Sequence, residues 1–339
     1  MAAWVGACTA FDTQAREPMS ETPTRRRKPS WLKVKAPEPR QYRATGALLD
    51  ELQLHTVCGE ARCPNKSECY SSGTATFLIL GDTCTRGCRF CAVSQAGAAP
   101  VLDADEPRRV AEAASRLGLR HVVITSVTRD DLPDGGASAF AATVDAVRAQ
   151  LPAVTVELLI PDLGGDEAAL TAVLAARPDV LNHNLETVPR LYAEVRPQAD
   201  FERSLRLLRR AAAWARDTEC ISSSGAPCGA SAPAHEGSTH ARPLVKSGLM
   251  VGLGERAAEV EQVLSACASA GIDIVTIGQY LQPGSGCLPV ARYVEPTEFA
   301  AYEACGAGLD LQVVAAPFVR SSYRAGELLE RPAGGRSCA

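Results

Sequence analysis

Short apolar runs rich in β-branched residues alternate with longer amphipathic stretches along the chain from Thr74 onward. We predict strands at six of these runs, namely 74–81, 121–126, 154–160, 179–184, 247–252 and 273–280. The other stretches repeat apolar residues every three and four positions, which predicts helices near 105–117, 138–150, 166–177, 199–215, 256–270 and 297–308. Strand–helix units with almost wholly apolar strands are typical of a parallel sheet covered by helices.

The number of strand–helix units indicates the fold class. Six units are fewer than the eight of a closed barrel, so we expect an α/β fold, a partial (β/α)6 barrel of the TIM type. We expect this barrel to span 74–296, with an N-terminal extension over 29–73 and a C-terminal helix and extension over 297–339. Residues 1–28 are expected to form a disordered or targeting tail.

The segment 217–243 interrupts this pattern between a helix and a strand. Sixteen of its 27 residues are Ser, Gly, Ala or Pro, a composition typical of loops and disorder. It contains four residues of metal-ligating type whose spacing matches no zinc motif: Cys220, Cys228, His235 and His240. We expect a low-complexity insertion on the non-catalytic face of the barrel, where helix-to-strand connections lie. An error in the gene model remains the alternative.

Charge and cysteine content restrict the function classes. Thirty-five basic and 39 acidic residues give a net charge of −4, so nothing global indicates a nucleic-acid or membrane partner. No apolar run approaches the roughly 18 residues of a transmembrane helix. Thirteen cysteines in a chain that is 46% hydrophobic favour metal ligation in a reducing compartment over a disulfide scaffold. We expect a cytoplasmic protein, with the mitochondrial matrix or plastid stroma as alternatives.

Two cysteine triplets carry the strongest chemical signal. They have different spacings and consist of Cys58, Cys63 and Cys69, and of Cys84, Cys88 and Cys91. A structural zinc or an electron-transfer cluster takes four protein ligands, so three thiolates leave one coordination position for chemistry. The sequence therefore predicts two metal clusters with different tasks, and no residue is predicted to act as a catalytic acid or base.

The second triplet, with Phe90 before its last cysteine, resembles the cluster-binding motif of radical S-adenosylmethionine (SAM) enzymes. The resemblance implies that Cys84, Cys88 and Cys91 hold a [4Fe-4S] cluster whose fourth iron binds SAM. Reductive cleavage of SAM then yields a 5′-deoxyadenosyl radical that abstracts hydrogen from an unactivated C–H bond.

Further segments resemble the SAM-binding parts of that superfamily. The run from Gly248 to Glu255 is similar to its adenine-contacting strand, and the segment 182–187 together with Arg196 is expected to meet the polar ends of SAM. The resemblance thus implies a set of SAM contacts: Phe90, Asn184, Glu186, Arg196, Gly248, Gly252 and Glu255.

The first triplet, upstream of the radical SAM motif, resembles the lipoyl synthase family. The resemblance spans about 29–330 and includes PSWLKVKAP, TVCGEARCPN, TSVTRDDLPDGGA, TIGQYLQPG and VRSSYRAGELL. In that family the first triplet holds an auxiliary [4Fe-4S] cluster, and the second serine of RSSY, here Ser322, is its fourth ligand. A hydroxyl is a poorer iron ligand than a thiolate, which suits a cluster that surrenders its sulfur.

The resemblance also implies the reaction and its partners. Two sulfur atoms from the auxiliary cluster would enter C6 and C8 of an octanoyl-lysine on a lipoyl-dependent protein, such as the E2 subunit of a 2-oxoacid dehydrogenase or the H protein of glycine cleavage. A ferredoxin or flavodoxin would supply electrons, and an iron–sulfur carrier would restore the cluster.

Some residues depart from the family pattern: Gly59 for an acidic residue, Lys66-Ser67 for Ile-Gly, Cys287 for histidine and Ala316 for glycine. Two alternative functions therefore stay open. One is another two-cluster radical SAM enzyme that forms carbon–heteroatom bonds. The other is a non-catalytic iron–sulfur protein for electron transfer or cluster delivery.

Overall fold

The computed structural model describes residues 27–34, 36–95, 97, 100–224 and 242–329. These form an eight-stranded sheet with strands in chain order: β1 His55–Thr56, β2 Thr76–Ile79, β3 His121–Ser126, β4 Thr155–Leu159, β5 Val180–Asn182, β6 Leu244–Val251, β7 Ile274–Gln279 and β8 Gln312–Ala315. Strand β1 is antiparallel to β2, and every later pair is parallel. The expected partial TIM-type barrel is confirmed.

Helices cover the sheet and alternate with its strands. They are α1 Pro39–Glu51, α2 Val57–Glu60, α3 Lys66–Ser71, α4 Glu106–Arg116, α5 Ala137–Gln150, α6 Glu167–Ala175, α7 Tyr192–Val195, α8 Phe201–Ser224, α9 Ala257–Ala270, α10 Pro296–Ala307 and α11 Ala325–Leu329. Two 3₁₀ turns lie at Leu163–Gly165 and Pro189–Leu191. Among the described helices, none has the combined length and apolar character needed to cross a bilayer.

Local sequence explains where several helices begin and end. Asp166 caps α6, because its carboxylate accepts hydrogen bonds from the amides of Ala168 and Ala169. Helix α9 ends at Gly271, whose φ of 80° lies in the left-handed region that glycine adopts without strain. Five of the six long predicted helices are found within two residues of their expected limits, and α8 extends nine residues beyond the predicted end at 215.

The barrel interior combines an apolar core with a buried ionic pair. All four residues of β2 and all six of β7 are buried, as a parallel sheet with two covered faces requires. Inside the barrel, Lys246 Nζ lies 3.0 Å from Glu157 Oε1, and Asn182 donates to the same oxygen at 2.9 Å. Burial raises the pKa of Glu157, but the Lys246 charge, together with His121 and the Asn182 hydrogen bond, outweighs burial and brings the pKa to about 2.

Two expectations need correction. The prediction of six strands missed β8, which is short and only partly buried, and the two-residue β1. The predicted insertion at 217–243 was too long, because α8 continues to Ser224 and residues 217–224 are helical. The remainder of that segment at 225–241, and the predicted tail up to residue 26, lie outside the described residues.

Candidate functional site

A cavity of about 200 Å³ lies at the C-terminal end of the barrel and contains residues from both cysteine triplets. One part of its wall consists of the first triplet with the serine assigned to it: Cys58, Cys63, Cys69 and Ser322. Another part carries Phe90, Cys91, Asn184 and Glu186. Most of the remaining wall is apolar, with Leu159, Leu249, Met250, Leu281 and Val319.

Two cysteines of the first triplet lie on short helices of the N-terminal extension, and Cys63 lies between these helices. Cys58 is in α2, whose first turn is capped by the Thr56 hydroxyl, and Cys69 is in α3. A hydrogen bond from the Cys69 thiol lowers the pKa of Cys58 to about 7, despite burial, and raises the pKa of Cys69 itself. Burial raises the pKa of Cys63. The Cys58 and Cys69 thiols therefore lie in direct contact with each other.

The C-terminal extension brings Ser322 to these cysteines. Asn65 Nδ2 donates to the Phe318 carbonyl at 2.7 Å, and the Tyr323 hydroxyl donates to Glu68 at 2.7 Å. These contacts lie before and after Ser322 in the sequence, so they hold its backbone against the first triplet. Residues far apart in the chain therefore line one part of the cavity.

The second triplet lies on the loop after β2. The Cys84 amide donates to Ser94 O at 2.8 Å, and the Cys91 amide donates to Cys88 O at 3.1 Å, which closes a turn. Cys91 lies on the cavity wall, whereas Cys84 and Cys88 are not part of it. Burial raises the pKa of Cys91 to about 12 and also raises that of Cys88. Such thiols become thiolates only beside a strong positive charge, which iron supplies.

Arg86, between Cys84 and Cys88, anchors this loop to the barrel. Its guanidinium makes two hydrogen bonds to Asp130, at 2.7 and 2.8 Å, and a further contact of 2.6 Å to the buried Asp162. The sequence reasoning missed this role of Arg86. Its position between two candidate ligands was an available signal, whereas nothing in the sequence marked Asp162.

The candidate donors are six thiols and one hydroxyl, and thiolates are the usual ligands of iron–sulfur clusters. Within the described part of the chain, no three His, Cys, Asp or Glu side chains converge closely enough to hold one ion. A [4Fe-4S] cluster instead takes each thiolate on a different iron, so its ligands stand further apart. Three cysteines with Ser322, and three cysteines alone, stay the predicted donor sets for two such clusters.

The expected SAM contacts fall into two groups. Phe90, Asn184 and Glu186 line the cavity. Arg196 is 8% exposed and donates to the carbonyls of Asn184 and Leu185 at 3.0 and 3.3 Å. Its charge also lies close enough to Cys88 to lower the pKa of that thiol, although burial is the larger effect. Arg196 thus contacts the cluster loop and the backbone of the expected SAM-binding segment.

The glycine-rich turn after β6 is not part of the cavity wall. Glu255 accepts hydrogen bonds from the amides of Gly252 and Leu253 at 2.6 and 2.9 Å, which shapes the turn. Gly252 has a φ of 101°, and a Cβ there would lie 2.6 Å from the Arg292 carbonyl. Gly248 lies in β6, next to the side chain of Asn184. A role for Gly248, Gly252 and Glu255 in adenine binding stays a prediction.

Cys287, one of the departures from the family pattern, lies beside the second triplet. Its thiol donates to the Cys91 carbonyl at 3.4 Å, and the following Leu288 amide donates to Arg89 O at 2.8 Å. The segment after β7 therefore packs along the cluster loop. Cys287 is not on the cavity wall.

Comparison with known proteins agrees with this site. The chain matches the Radical SAM superfamily over residues 78–216 and the N-terminal domain of lipoyl synthase of the Radical SAM family over residues 8–63. It is 54% identical over 298 residues to the lipoyl synthase of Nitratidesulfovibrio vulgaris strain Hildenborough, covering 88% of this chain and 91% of that protein. It is 51% identical to the lipoyl synthase of Chlorobium chlorochromatii strain CaD3, covering 88% and 94% of the two chains.

Solved structures support the fold alone. HydG, a maturase of the [FeFe]-hydrogenase, superimposes with a TM-score of 0.50 at 15% identity, covering 74% of this chain and 53% of HydG. The extensive identity to two curated relatives, the matched domains and the paired cysteine sets lead to one conclusion. This chain belongs to the lipoyl synthase family of radical SAM enzymes.

Proposed function

We propose that the chain inserts two sulfur atoms into a protein-bound octanoyl-lysine, at C6 and C8, to form the lipoyl group. Each insertion replaces one C–H bond with a C–S bond and consumes one SAM and one electron. The sulfur comes from an auxiliary [4Fe-4S] cluster held by Cys58, Cys63, Cys69 and Ser322. A second [4Fe-4S] cluster, held by Cys84, Cys88 and Cys91, supplies the one-electron chemistry that cleaves SAM when it is loaded.

One observation carries this proposal. The first triplet and Ser322 lie on the wall of the same cavity as Cys91, Asn184 and Glu186. A hydrogen-abstracting centre and a sulfur donor must reach the same carbon in turn, and a shared cavity permits this without movement of the acyl chain over a long distance. A non-catalytic electron-transfer protein has no need of such a cavity.

The chain's own residues have separate tasks in this scheme. The apolar side chains of Leu249, Met250 and Leu281 line the space in which an octanoyl chain would lie. Glu186 and Asn184 face the same space with polar groups suited to the amino acid part of SAM. Arg196, beside Cys88 and the Asn184 carbonyl, keeps the cluster loop and this polar segment together.

The partners follow from the proposed reaction. The substrate is an octanoylated protein, and we assign it to the E2 subunits of 2-oxoacid dehydrogenases and the glycine cleavage H protein. A ferredoxin or flavodoxin supplies electrons, and an iron–sulfur carrier rebuilds the donor cluster after turnover. The similar lipoyl synthases are bacterial proteins, which favours the cytoplasm as the compartment.

Anaerobic reconstitution tests the proposal directly. We expect about eight irons per chain, and incubation with SAM, dithionite and an octanoyl-lysyl peptide should give a peptide with two added sulfur atoms. About four irons with 5′-deoxyadenosine as the only product would overturn the sulfur-donor assignment. Eight irons with a different carbon–heteroatom product would favour another two-cluster radical SAM activity. No deoxyadenosine at all would point to a non-catalytic iron–sulfur protein.

A further inference from the structure

A hydrogen bond joins the C-terminal extension to the expected SAM-binding segment. Ser321 Oγ donates to Asn184 Oδ1 at 2.7 Å, and Asn184 Nδ2 donates to Glu186 Oε1 at 3.1 Å. All three residues line the cavity. The Asn184 side-chain amide therefore accepts a hydrogen bond from Ser321 through its oxygen and donates one to Glu186 through its nitrogen. It thereby connects Ser321 to Glu186.

Gly248 explains why this contact can exist. A Cβ at this position in β6 would lie 2.6 Å from Asn184 Oδ1 and 2.7 Å from Ser321 Oγ, with Thr276 Oγ1 at 3.0 Å. Such distances are shorter than van der Waals contact, so any other residue would separate Ser321 from Asn184. The absence of a side chain at Gly248 thus provides the space that the hydrogen bond occupies.

Glu186, the other end of the connection, is held rigidly. Its φ of 66° lies in the left-handed region, which costs a non-glycine residue on the order of 1 kcal/mol. Two backbone hydrogen bonds to β6 maintain it: the Glu186 amide donates to Gly248 O at 2.9 Å, and the Met250 amide donates to Glu186 O at 2.8 Å. Ser321 is therefore attached to a fixed point of the barrel.

Ser322 follows Ser321 directly, and consecutive Cα atoms are about 3.8 Å apart. The contacts at Phe318 and Tyr323 bind the extension to the N-terminal part of the chain, which carries Cys58, Cys63 and Cys69. Ser321 is the contact that binds the same short stretch to the polar segment after β5. Contacts to the N-terminal part of the chain and to the segment after β5 thus fix the position of Ser322 between the first cysteine triplet and the expected SAM contacts.

We propose that Ser321 is a positioning residue for the sulfur donor. By donating to Asn184 it holds the Ser322 hydroxyl at a fixed place relative to Glu186 and the SAM side of the cavity. This inference rests on the proposed function, in which Ser322 is the weak ligand of the auxiliary cluster. It assigns Asn184 a role in connecting the two sites, in addition to its expected contact with SAM.

The first test is hydrogen exchange in the full chain, measured with and without reconstituted clusters. In Ser321→Ala, amides of residues 318–324 should exchange roughly two- to tenfold faster, the range for loss of one hydrogen bond. Gly248→Ala, in which Ser321 is unchanged but its partner is displaced, should give the same local effect. Ser265→Ala removes an exposed hydroxyl in α9 that bonds only to its own helix, and it should change nothing.

The coupling is tested with a double-mutant cycle. If the contact is real, Asn184→Ala should add little to the exchange rate once Ser321 is alanine, because both changes remove the same hydrogen bond. Fully additive effects would overturn the assignment. If Ser321→Ala does not fold, Gly248→Ala and Asn184→Ala together provide the same comparison.

The functional test is the ratio of sulfur inserted to 5′-deoxyadenosine formed. We expect Ser321→Ala to insert roughly two- to tenfold less sulfur per deoxyadenosine formed than the wild type. The EPR spectrum of the reduced auxiliary cluster, recorded with Cys84, Cys88 and Cys91 replaced by alanine, should also change. An unchanged ratio and spectrum would overturn the proposal.

Failure of this inference and failure of the proposed function give different results. A wild-type chain that holds about four irons and forms no thiolated product contradicts the proposed function, whatever Ser321 does. A different result is a wild-type chain that holds both clusters and inserts sulfur fully while Ser321→Ala gives the same product ratio and EPR spectrum. That result contradicts only the positioning role.

Discussion

Arg86 and Asp162 form a buried ion pair beneath the loop that carries the second cysteine triplet, with nitrogen and oxygen 2.6 Å apart. Burial raises the pKa of Asp162, but the hydrogen bond and charge of Arg86, together with the nearby His183 and Arg203, outweigh burial and bring the pKa to about 2. The same guanidinium makes two hydrogen bonds to Asp130. The loop that bears Cys84 and Cys88 is thereby fixed to the segments that follow β3 and β4.

Replacing Arg86 should therefore damage the radical-generating site. Removal of one partner of a buried pair costs on the order of 3–5 kcal/mol locally, because it leaves an uncompensated charge. We expect Arg86→Met to lose about four irons on reconstitution and to form 5′-deoxyadenosine at least roughly tenfold more slowly. Arg86→Lys should retain part of both. Iron determination and a single-turnover SAM cleavage assay measure these effects.

Arg108→Met is the matched control for that change. Arg108 also forms an ion pair with an aspartate, Asp105, but its side chain is 62% exposed on α4. Exposed pairs contribute little, so iron content and SAM cleavage should stay unchanged. Full iron content and normal cleavage in Arg86→Met would show that the loop does not depend on this anchor.

Substitutions of Ser322 should separate SAM cleavage from sulfur insertion. Ser322→Ala removes the proposed oxygen ligand but leaves the second triplet untouched, so deoxyadenosine should still form while sulfur insertion falls to background. Ser322→Cys supplies a stronger ligand, and we expect it to retain the cluster but release sulfur slowly. Product mass spectrometry and deoxyadenosine quantification in parallel provide the measurement. Normal C–S bond formation by Ser322→Cys would show that a labile ligand is irrelevant.

Gly278 provides a steric test of how the C-terminal extension is seated. A Cβ at this position in β7 would lie 2.0 Å from the Val319 carbonyl oxygen, which is backbone and cannot rotate away. We expect Gly278→Ala to lower the free energy of unfolding by roughly 1–3 kcal/mol and to impair sulfur insertion more than SAM cleavage. Chemical denaturation and the product ratio report the two effects.

Gly46 supplies the control for Gly278. It lies within α1, and nothing is found within 4 Å of the position its Cβ would occupy. Gly46→Ala should stabilise the chain by roughly 0.5–1 kcal/mol through helix propensity. Equal effects of the two alanines would contradict the close approach of Val319.

His183 should make the stability of the chain depend on pH. Burial lowers the pKa of His183 to about 4 from its ordinary 6.5, and its Nδ1 donates to the Ile160 carbonyl at 2.8 Å. An unfolded chain takes up this proton near pH 6.5, whereas the folded chain does so only near pH 4. The free energy of unfolding should therefore be highest above pH 6.5 and fall toward pH 4, by up to about 1.4 kcal/mol per unit from this group.

Urea denaturation at pH 5, 6 and 7 tests this dependence. His183→Gln has no titrating group at this position, so its stability should vary less over that range than that of the wild type. The two curves are expected to converge toward pH 5. Identical pH dependence in both proteins would show that His183 is not the group responsible.

The segment 225–241 should be dispensable for the chemistry. The residue that follows this segment is Arg242, and its Nη2 lies 2.6 Å from Oδ1 of Asp273, the residue directly before β7. This is the N-terminal end of the strands, opposite the cavity. Replacing 225–241 with a short Gly/Ser linker should leave sulfur insertion unchanged within about twofold, since the entropy of closing a connection changes only slowly with its length. A large loss of turnover at unchanged folding would give the segment a functional role.

The sequence by itself determined the fold class and singled out the six candidate cluster cysteines. Strands and helices follow from local hydrophobic periodicity, and each cysteine triplet lies within a short stretch whose spacing is visible directly. The two features that the sequence missed also have local causes. Strand β8 is only partly buried, with the sequence Gln-Val-Val-Ala, and the Ser-rich end of α8 at 222–224 has the composition of a loop.

The tertiary structure alone decided how these parts meet. Ser322 was assigned from family resemblance, and only the folded chain places it on the same cavity wall as Cys58. The contacts from Ser321 to Asn184 and from Arg86 to Asp162 join residues far apart in sequence, and no local sequence pattern predicts them. Polar partners of this kind depend on which loops the barrel brings to one end, and that is a property of strand order and register rather than of any single segment.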